Sequence, residues 1–200
     1  MKRKFIDSSI ELIKKNGNYN DEQIELIAYG LEGVYLTLTK MIILYAIAYL
    51  LGIVKEFTIL LVTFNIIRSQ AFGIHASKSL YCLISSFLMF IGGALVCKYM
   101  VIPFYTSIII AIICDICLLL YAPADTYKRP IVNKKKRKRF KLLSFFLGVI
   151  YTIVLIIYKD SFITNYLVIG LIISVVMILP VTYKMFNLPY NNYKTYELGV

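Results

Sequence analysis

Two residues that can do chemistry lie close together near the middle of the chain. His75 is the only histidine among the 200 residues, and Cys82 follows it with six residues between them. A cysteine attacks as its thiolate, and a histidine can take up the thiol proton and return it to a leaving group. The pair predicts a cysteine peptidase site. The competing interpretation is that a histidine and a cysteine so loosely spaced are only structural.

The spacing of the pair constrains the backbone between the two residues. On one continuous helix they would share a face but lie ~10 Å apart along the axis, whereas a base needs a contact of about 2.6–3.2 Å. The chain must therefore turn, and Gly73 together with residues 77–79 can supply the turn. His75 then ends one apolar segment and Cys82 falls in the first turn of the next. There, free backbone N–H groups, the helix dipole and nearby Lys78 all favour an anion.

The composition decides which elements position this pair. The chain is 60% hydrophobic and 16% charged, whereas soluble domains are about a quarter charged. Several apolar runs approach the ~20 residues that a helix needs to cross a bilayer. The sequence predicts an all-α, polytopic membrane helical bundle with about six segments. They cover residues 34–54, 57–74, 80–97, 101–121, 142–158 and 162–180.

The second segment is the weakest of the six. Its clean apolar core, residues 57–67, would cover only ~16 Å, about half of a ~30 Å hydrocarbon layer. It either continues as a helix through Arg68 or dips into the membrane and returns. Non-helical backbone at that depth is tolerated only where protein or a wet cavity shields it.

The distribution of basic residues predicts the orientation. With both termini in the cytoplasm, the cytoplasmic parts hold 18 of the 22 Lys and Arg residues, as the positive-inside rule requires. The pair His75 and Cys82 then lies near the cytoplasmic face. The predicted organisation is an amphipathic region over 1–33, a membrane bundle over 34–182 and a cytoplasmic tail over 183–200.

The first 33 residues have the pattern of helices that lie on a membrane surface. Residues 2–15 alternate apolar and charged positions at helical spacing, and Asp21 can cap a second short helix. This region is interpreted either as a plain membrane anchor or as a surface that receives a substrate.

A run of six basic residues, 134–139, invites a nucleic-acid interpretation, but the chain has no fold that would present such a run to RNA or DNA. Retention of a cytoplasmic loop and attraction to anionic lipid explain it better. A narrower hypothesis is that Lys134, Lys135 and Lys136 hold an acidic peptide segment near the site.

Ionisable residues inside apolar segments are functional candidates. Asp115 and Lys40 lie at comparable depths, which predicts an intramembrane ion pair, and Asp115 is also a candidate to orient His75. Asp125 either orients the histidine, binds a peptide, or only follows a helix stop in a turn. The sequence Cys114-Asp-Ile-Cys117 lacks the context of a redox or metal motif, so we interpret it as packing. No metal and no cofactor are expected.

Two windows of the chain resemble the accessory gene regulator B (AgrB) family of quorum-sensing membrane peptidases. One is Arg68…Gly73-Ile-His75-Ala76…Cys82, and the other is Ala122-Pro-Ala-Asp-Thr126…Arg129-Pro-Ile131, followed by basic residues. The likeness covers nearly the whole chain. The sequence departs from the family at Phe72, where a second glycine would be expected beside Gly73.

The resemblance implies a concrete reaction and setting. His75 and Cys82 would be the catalytic pair, with Arg68, Gly73 and Lys78 in supporting roles. The implied enzyme cuts the C-terminal tail from a short AgrD-like precursor peptide, which has an amphipathic leader and an acidic tail. A thioester on the enzyme is then exchanged for a thiolactone. The resemblance further implies a multi-pass protein of the bacterial cell membrane that acts as a homodimer and has no nucleic-acid partner.

Two other functions remain open from the residues alone. One is a small transporter or channel component with Lys40 and Asp115 on its pathway, although no internal inverted repeat supports it. The other is a non-catalytic assembly protein in which the His/Cys pair is incidental.

Overall fold

The computed structural model describes residues 2–17, 19–74, 79–126, 130–159 and 161–194. Within these ranges the chain is helical apart from its turns and loops and isolated β-bridge positions, among them the bridge between Phe72 and Ala124. The predicted all-α membrane bundle is confirmed. The chain divides into two units, residues 1–50 and 51–200.

The first unit consists of two helices, α1 (Lys2–Asn16) and α2 (Asp21–Leu50). The cap of α2 is Asn20 rather than the predicted Asp21. The Asn20 side chain accepts from the Gln23 N–H at 2.8 Å and the Asn20 N–H donates to Gln23 Oε1 at 3.1 Å, which forms a capping box. The predicted short second helix and the first apolar segment are one helix of 30 residues, so α2 runs through the boundary placed after residue 33.

The second unit contains the remaining helices of the described chain. They are α3 (Val54–Ala71), α4 (Ser79–Ser86), a π-helical turn (Phe87–Ile91), α5 (Gly92–Tyr99), α6 (Phe104–Tyr121), α7 (Lys134–Ile157), α8 (Phe162–Val176) and α9 (Pro180–Met185). The strongest packing is between α3 and α8 and between α6 and α7. Most of α8 is buried, because it packs against α3, α5, α6 and α7.

The weak second segment is helical through Arg68 and does not turn back before it. Helix α3 has 18 residues and ends at Ala71, so it extends four residues beyond the apolar core. Its buried side includes Phe57, Leu60 and Phe64, which face the interior of the unit. At 1.5 Å per residue the helix is ~27 Å long, close to the hydrocarbon thickness.

In the part of the chain that the structure describes, four stretches are long and apolar enough to cross a bilayer: Asp21–Leu50, Leu80–Tyr99, Phe104–Tyr121 and Lys134–Ile157. Helix α8 is apolar but shorter, with 15 residues. Helix α3 carries three charged residues, Lys55, Glu56 and Arg68. These helices are compatible with a multi-pass membrane protein, while the six crossings and their direction stay predictions.

The basic run is helical and not a loop, contrary to the sequence-based expectation. Asn133 caps α7, and its side-chain oxygen accepts from the N–H groups of Lys135 and Lys136 at 3.0 and 3.1 Å. Lys and Arg are good helix formers, so a capped run of them continues directly into the apolar part of the helix.

Candidate active site

Cys82 is the fourth residue of α4, which begins at Ser79. Its side chain is half-buried, and its sulfur forms no disulfide with the other described cysteines. The first turn of a helix has backbone N–H groups without intrahelical partners, and these favour an anion. This is the predicted position for the candidate nucleophile. His75 and Lys78 lie outside the described residues, so their roles stay predictions.

The three residues ahead of His75 are fixed by backbone hydrogen bonds. The Gly73 N–H donates to the Ala124 carbonyl at 2.8 Å, and the Ala124 N–H donates to the Ala71 carbonyl at 3.0 Å. The Ile74 N–H donates to the Met177 carbonyl at 3.0 Å. The end of α3 is therefore attached to the loop after α6 and to the end of α8. These bonds fix the position of the backbone immediately before His75 in the sequence.

The side chain of Arg68 stabilises this turn by hydrogen bonds to its carbonyl groups. Its Nη2 donates to the carbonyl of Ile74 at 2.6 Å and to that of Gly73 at 3.3 Å, while Nη1 lies 3.4 Å from the sulfur of Met177. Arg68 is also within range of an electrostatic interaction with Cys82. None of the carboxylates in the described ranges forms an ion pair with this guanidinium. Arg68 therefore satisfies two carbonyls of the turn and places a positive charge near the thiol.

Gly73 is required by the geometry of this turn. Its φ is +115°, which L residues rarely adopt. A Cβ at this position would lie 2.5 Å from Arg68 Nη1 and 2.6 Å from the Met177 carbonyl oxygen. Its neighbour Phe72 has a φ of 59°, which also suits glycine, and its ring packs edge-on against Phe140 with centroids 5.1 Å apart. The backbone here has the conformation that a second glycine would favour.

Asp125 is almost completely buried, with 3% of its surface exposed. Its Oδ1 accepts from the Asn192 N–H at 3.0 Å, and its Oδ2 accepts from the N–H groups of Tyr193 at 2.9 Å and Ile131 at 3.4 Å. The carboxylate thus joins the loop after α6 to the segment ahead of α7 and to the C-terminal segment. The supporting role of Asp125 at the site stays a prediction.

Tyr183 of α9 secures the same loop. Its hydroxyl donates to the carbonyls of Asp125 at 2.9 Å and Ala124 at 3.2 Å. Burial raises the pKa of Tyr183 above its ordinary value, so the hydroxyl stays protonated and can donate at neutral pH. Sequence reasoning missed Tyr183 and Asn192, because residues 183–200 look like a polar tail. The only signal was the turn-forming sequence Tyr190-Asn-Asn-Tyr193.

Asp115 lies within α6, seven residues before the loop. Its Oδ2 accepts from the Thr152 hydroxyl at 2.7 Å, and Oδ1 is buried without a hydrogen-bond partner. Gly148 of α7 lies directly against Oδ1. The ion pair with Lys40 and the orienting role toward His75 stay predictions. Cys114 is in the apolar core of the unit, where packing was expected.

The side chains of the basic run point in different directions. Arg137 lies over the ring of Tyr193, with its Cζ 3.1 Å from the ring centroid. Lys134, Lys135 and Lys136 are exposed. The run therefore offers charge to the surroundings and also contacts the C-terminal segment.

The chain is similar in sequence to known proteins over most of its length. The family model for accessory gene regulator B matches residues 6–178. The chain is 34% identical over 187 residues to a putative AgrB-like protein of Clostridium acetobutylicum, covering 92% of this chain and 90% of that one. It is 32% identical over 177 residues to the accessory gene regulator protein B of Staphylococcus aureus strain Newman, covering 88% and 92%. No solved structure matches.

The matched region contains α3, the turn that begins at Phe72, α4 with Cys82, and the loop that carries Asp125. Its end, at residue 178, leaves out α9 and the segment that contacts Asp125. The match extends over most of the chain, and the relatives are covered over most of their own length. The chain therefore belongs to the AgrB family and has a role in the accessory gene regulator quorum-sensing system.

Proposed function

We propose that this protein is an integral-membrane cysteine endopeptidase that removes the C-terminal tail of a quorum-sensing precursor peptide. The observation that carries the proposal is the position of Cys82, in the first turn of α4 and in electrostatic contact with Arg68. The anchored segment that ends at Ile74 supports it, because this segment leads directly into His75.

The reaction begins with attack of the Cys82 sulfur on the scissile carbonyl. His75 takes the thiol proton, and the tetrahedral intermediate carries a negative charge on the former carbonyl oxygen. The N–H groups of the first turn of α4 are suitable donors to that oxyanion. His75 then gives its proton to the departing amine, and the precursor remains attached to Cys82 as a thioester.

The thioester keeps the acyl group activated for ring closure. A thiol of the peptide attacks the thioester, Cys82 leaves with a proton, and a thiolactone forms with one C–S bond made and one broken. Water must be excluded until then, because hydrolysis would release a linear product. A site at the end of α3, among buried residues such as Ile67 and Ala71, supports this requirement.

Arg68 has two functions in this mechanism. Its hydrogen bonds to the carbonyls of Gly73 and Ile74 keep the turn closed. Its charge attracts an anion formed at the sulfur of Cys82, because a thiolate needs a positive neighbourhood. Lys78, four residues before Cys82 in the sequence, would add a second positive charge.

The precursor would be held by charge and by the membrane. An acidic tail suits the exposed Lys134, Lys135 and Lys136 at the start of α7, and an amphipathic leader suits a bilayer surface beside α1. We place both termini and the site on the cytoplasmic side of the bacterial cell membrane, because the basic residues concentrate there. A homodimer is the proposed working form.

The test is co-expression of the chain with its precursor peptide, followed by mass spectrometry of the cleaved product. Cys82→Ser and His75→Ala should each abolish cleavage, and wild type should accumulate a hydroxylamine-sensitive thioester on Cys82. Cys117→Ser is the matched control, because Cys117 is also half-buried but lies on α6 and not on α4. Cleavage that persists in Cys82→Ser would refute the peptidase.

A further inference from the structure

The chain after α9 folds back onto the candidate site. We name residues 188–194 the C-terminal strap. Asn192 within it is buried, with 6% of its surface exposed. The backbone N–H groups of Asn192 and Tyr193 donate to the two oxygens of Asp125, at 3.0 and 2.9 Å. Hydrogen bonds to an ionised group are about twice as strong as those between neutral groups.

The strap also makes contacts beside the residues that bind this carboxylate. The Asn192 side-chain amide donates to the Pro189 carbonyl at 2.9 Å, which closes the turn over residues 189–192. The rings of Tyr183 and Tyr190 meet edge to face at 5.0 Å. On the other side, Arg137 covers the ring of Tyr193. The strap therefore contacts α9, the loop after α6 and the start of α7.

A short path connects the strap to the candidate base. Asp125 adjoins Ala124, whose N–H and carbonyl pair with Ala71 and Gly73. Gly73 is two residues before His75. A shift of Asp125 would therefore move the backbone that delivers the histidine.

We propose that the C-terminal strap is part of the site: its two N–H groups hold Asp125, and Asp125 acts as a positioning residue for the turn before His75. The proposal rests on the proposed function. It also extends beyond the region matched by the family, because the strap lies after residue 178. The positioning role means that the strap affects the rate of the reaction more than the binding of the precursor.

The first test compares wild type with Asp125→Asn in the full chain. The amide keeps the volume but presents an N–H₂ group to one of the two backbone donors of the strap. Deuterium exchange at the amides of residues 192 and 193 should accelerate. The kcat for precursor cleavage should fall about tenfold, equivalent to ~1.4 kcal/mol, while KM changes less than about twofold.

A pair of variants at one position separates the backbone donor from the ring. Tyr193→Pro removes the N–H that Oδ2 accepts, whereas Tyr193→Leu keeps that N–H and removes only the ring over Arg137. Proline should release the strap and lower kcat as Asp125→Asn does, and leucine should have a smaller effect on both.

The outcomes are distinct. Faster exchange together with a lower kcat supports the proposal. Faster exchange with an unchanged kcat overturns it and leaves the peptidase intact. Unchanged exchange in both Asp125→Asn and Tyr193→Pro overturns the proposal that the N–H groups of the strap hold Asp125. If wild type leaves the precursor uncut, the proposed function and the positioning role both fail, whereas the exchange data still report whether the strap is docked.

Discussion

Gly73→Ala is expected to lower precursor cleavage at least ~100-fold, because a displacement of about 1 Å at a reacting group can cost that much. The added Cβ would lie 2.5 Å from Arg68 Nη1 and 2.6 Å from the Met177 carbonyl oxygen. The side chain of Arg68 can move, but the backbone of Met177 cannot move without breaking its bond to Ile74. The φ of +115° adds a conformational cost of about 1–2 kcal/mol for an alanine.

The chain supplies a matched control for this variant. Gly52 also has a positive φ, of +63°, but its nearest neighbour to a new Cβ is the end of the Lys98 side chain at 4.0 Å. Gly52→Ala therefore carries a conformational penalty without the collision, and cleavage should stay within about twofold of wild type. Both variants should be measured at equal amounts of membrane-inserted protein. Equal cleavage by Gly73→Ala and wild type would contradict the proposed turn.

Gly148→Ala is expected to destabilise the membrane bundle by about 3 kcal/mol, the upper range for overpacking a core. The new Cβ would collide with Asp115 Oδ1 and would lie 2.9 Å from Leu118 Cδ1. Alanine normally favours a helix over glycine by up to ~1 kcal/mol, so a loss of stability would show that the collision outweighs propensity. The measurement is the unfolding midpoint of the purified protein in detergent.

Two further variants make this prediction specific. A Cβ at Gly92 would meet nothing within 4 Å, so Gly92→Ala should be neutral or slightly stabilising. In the double variant Asp115→Ala/Gly148→Ala the carboxylate is gone, and the effect of Gly148→Ala should be much smaller in this background. Strict additivity of the two changes would contradict the close contact between α6 and α7.

The sequence was sufficient for the fold class because long apolar runs leave a chain few alternatives to membrane helices. It did not place the ends of the helices. The basic run is the first part of α7, since Asn133 caps it, and α2 begins one residue after Asn20 and has no break near residue 33. These boundaries depend on a single capping side chain each, which a hydrophobicity pattern does not detect.

The site was predicted in part. The position of Cys82 at the start of a helix followed from the spacing and from the need for a turn. The contacts of Asp125 could not be predicted, because its partners are backbone N–H groups, which every residue except proline has. Two of these partners are 67 and 68 residues away along the chain. No pattern of side-chain types indicates such a pairing.

The backbone conformation of Phe72 places torsional strain in this turn. A bulky residue at a φ of 59° holds about 1–3 kcal/mol of torsional strain, and here the aromatic ring is held by Phe140 of α7. Separation of the two rings would remove one restraint on this torsion, while the hydrogen bonds of the Phe72 and Gly73 N–H groups to the carbonyls of Arg68 and Ala124 would still hold the backbone. The contact between Phe72 and Phe140 therefore helps to hold a strained backbone torsion at the end of α3. Phe72→Gly would relieve this torsional strain and would also remove the ring contact with Phe140.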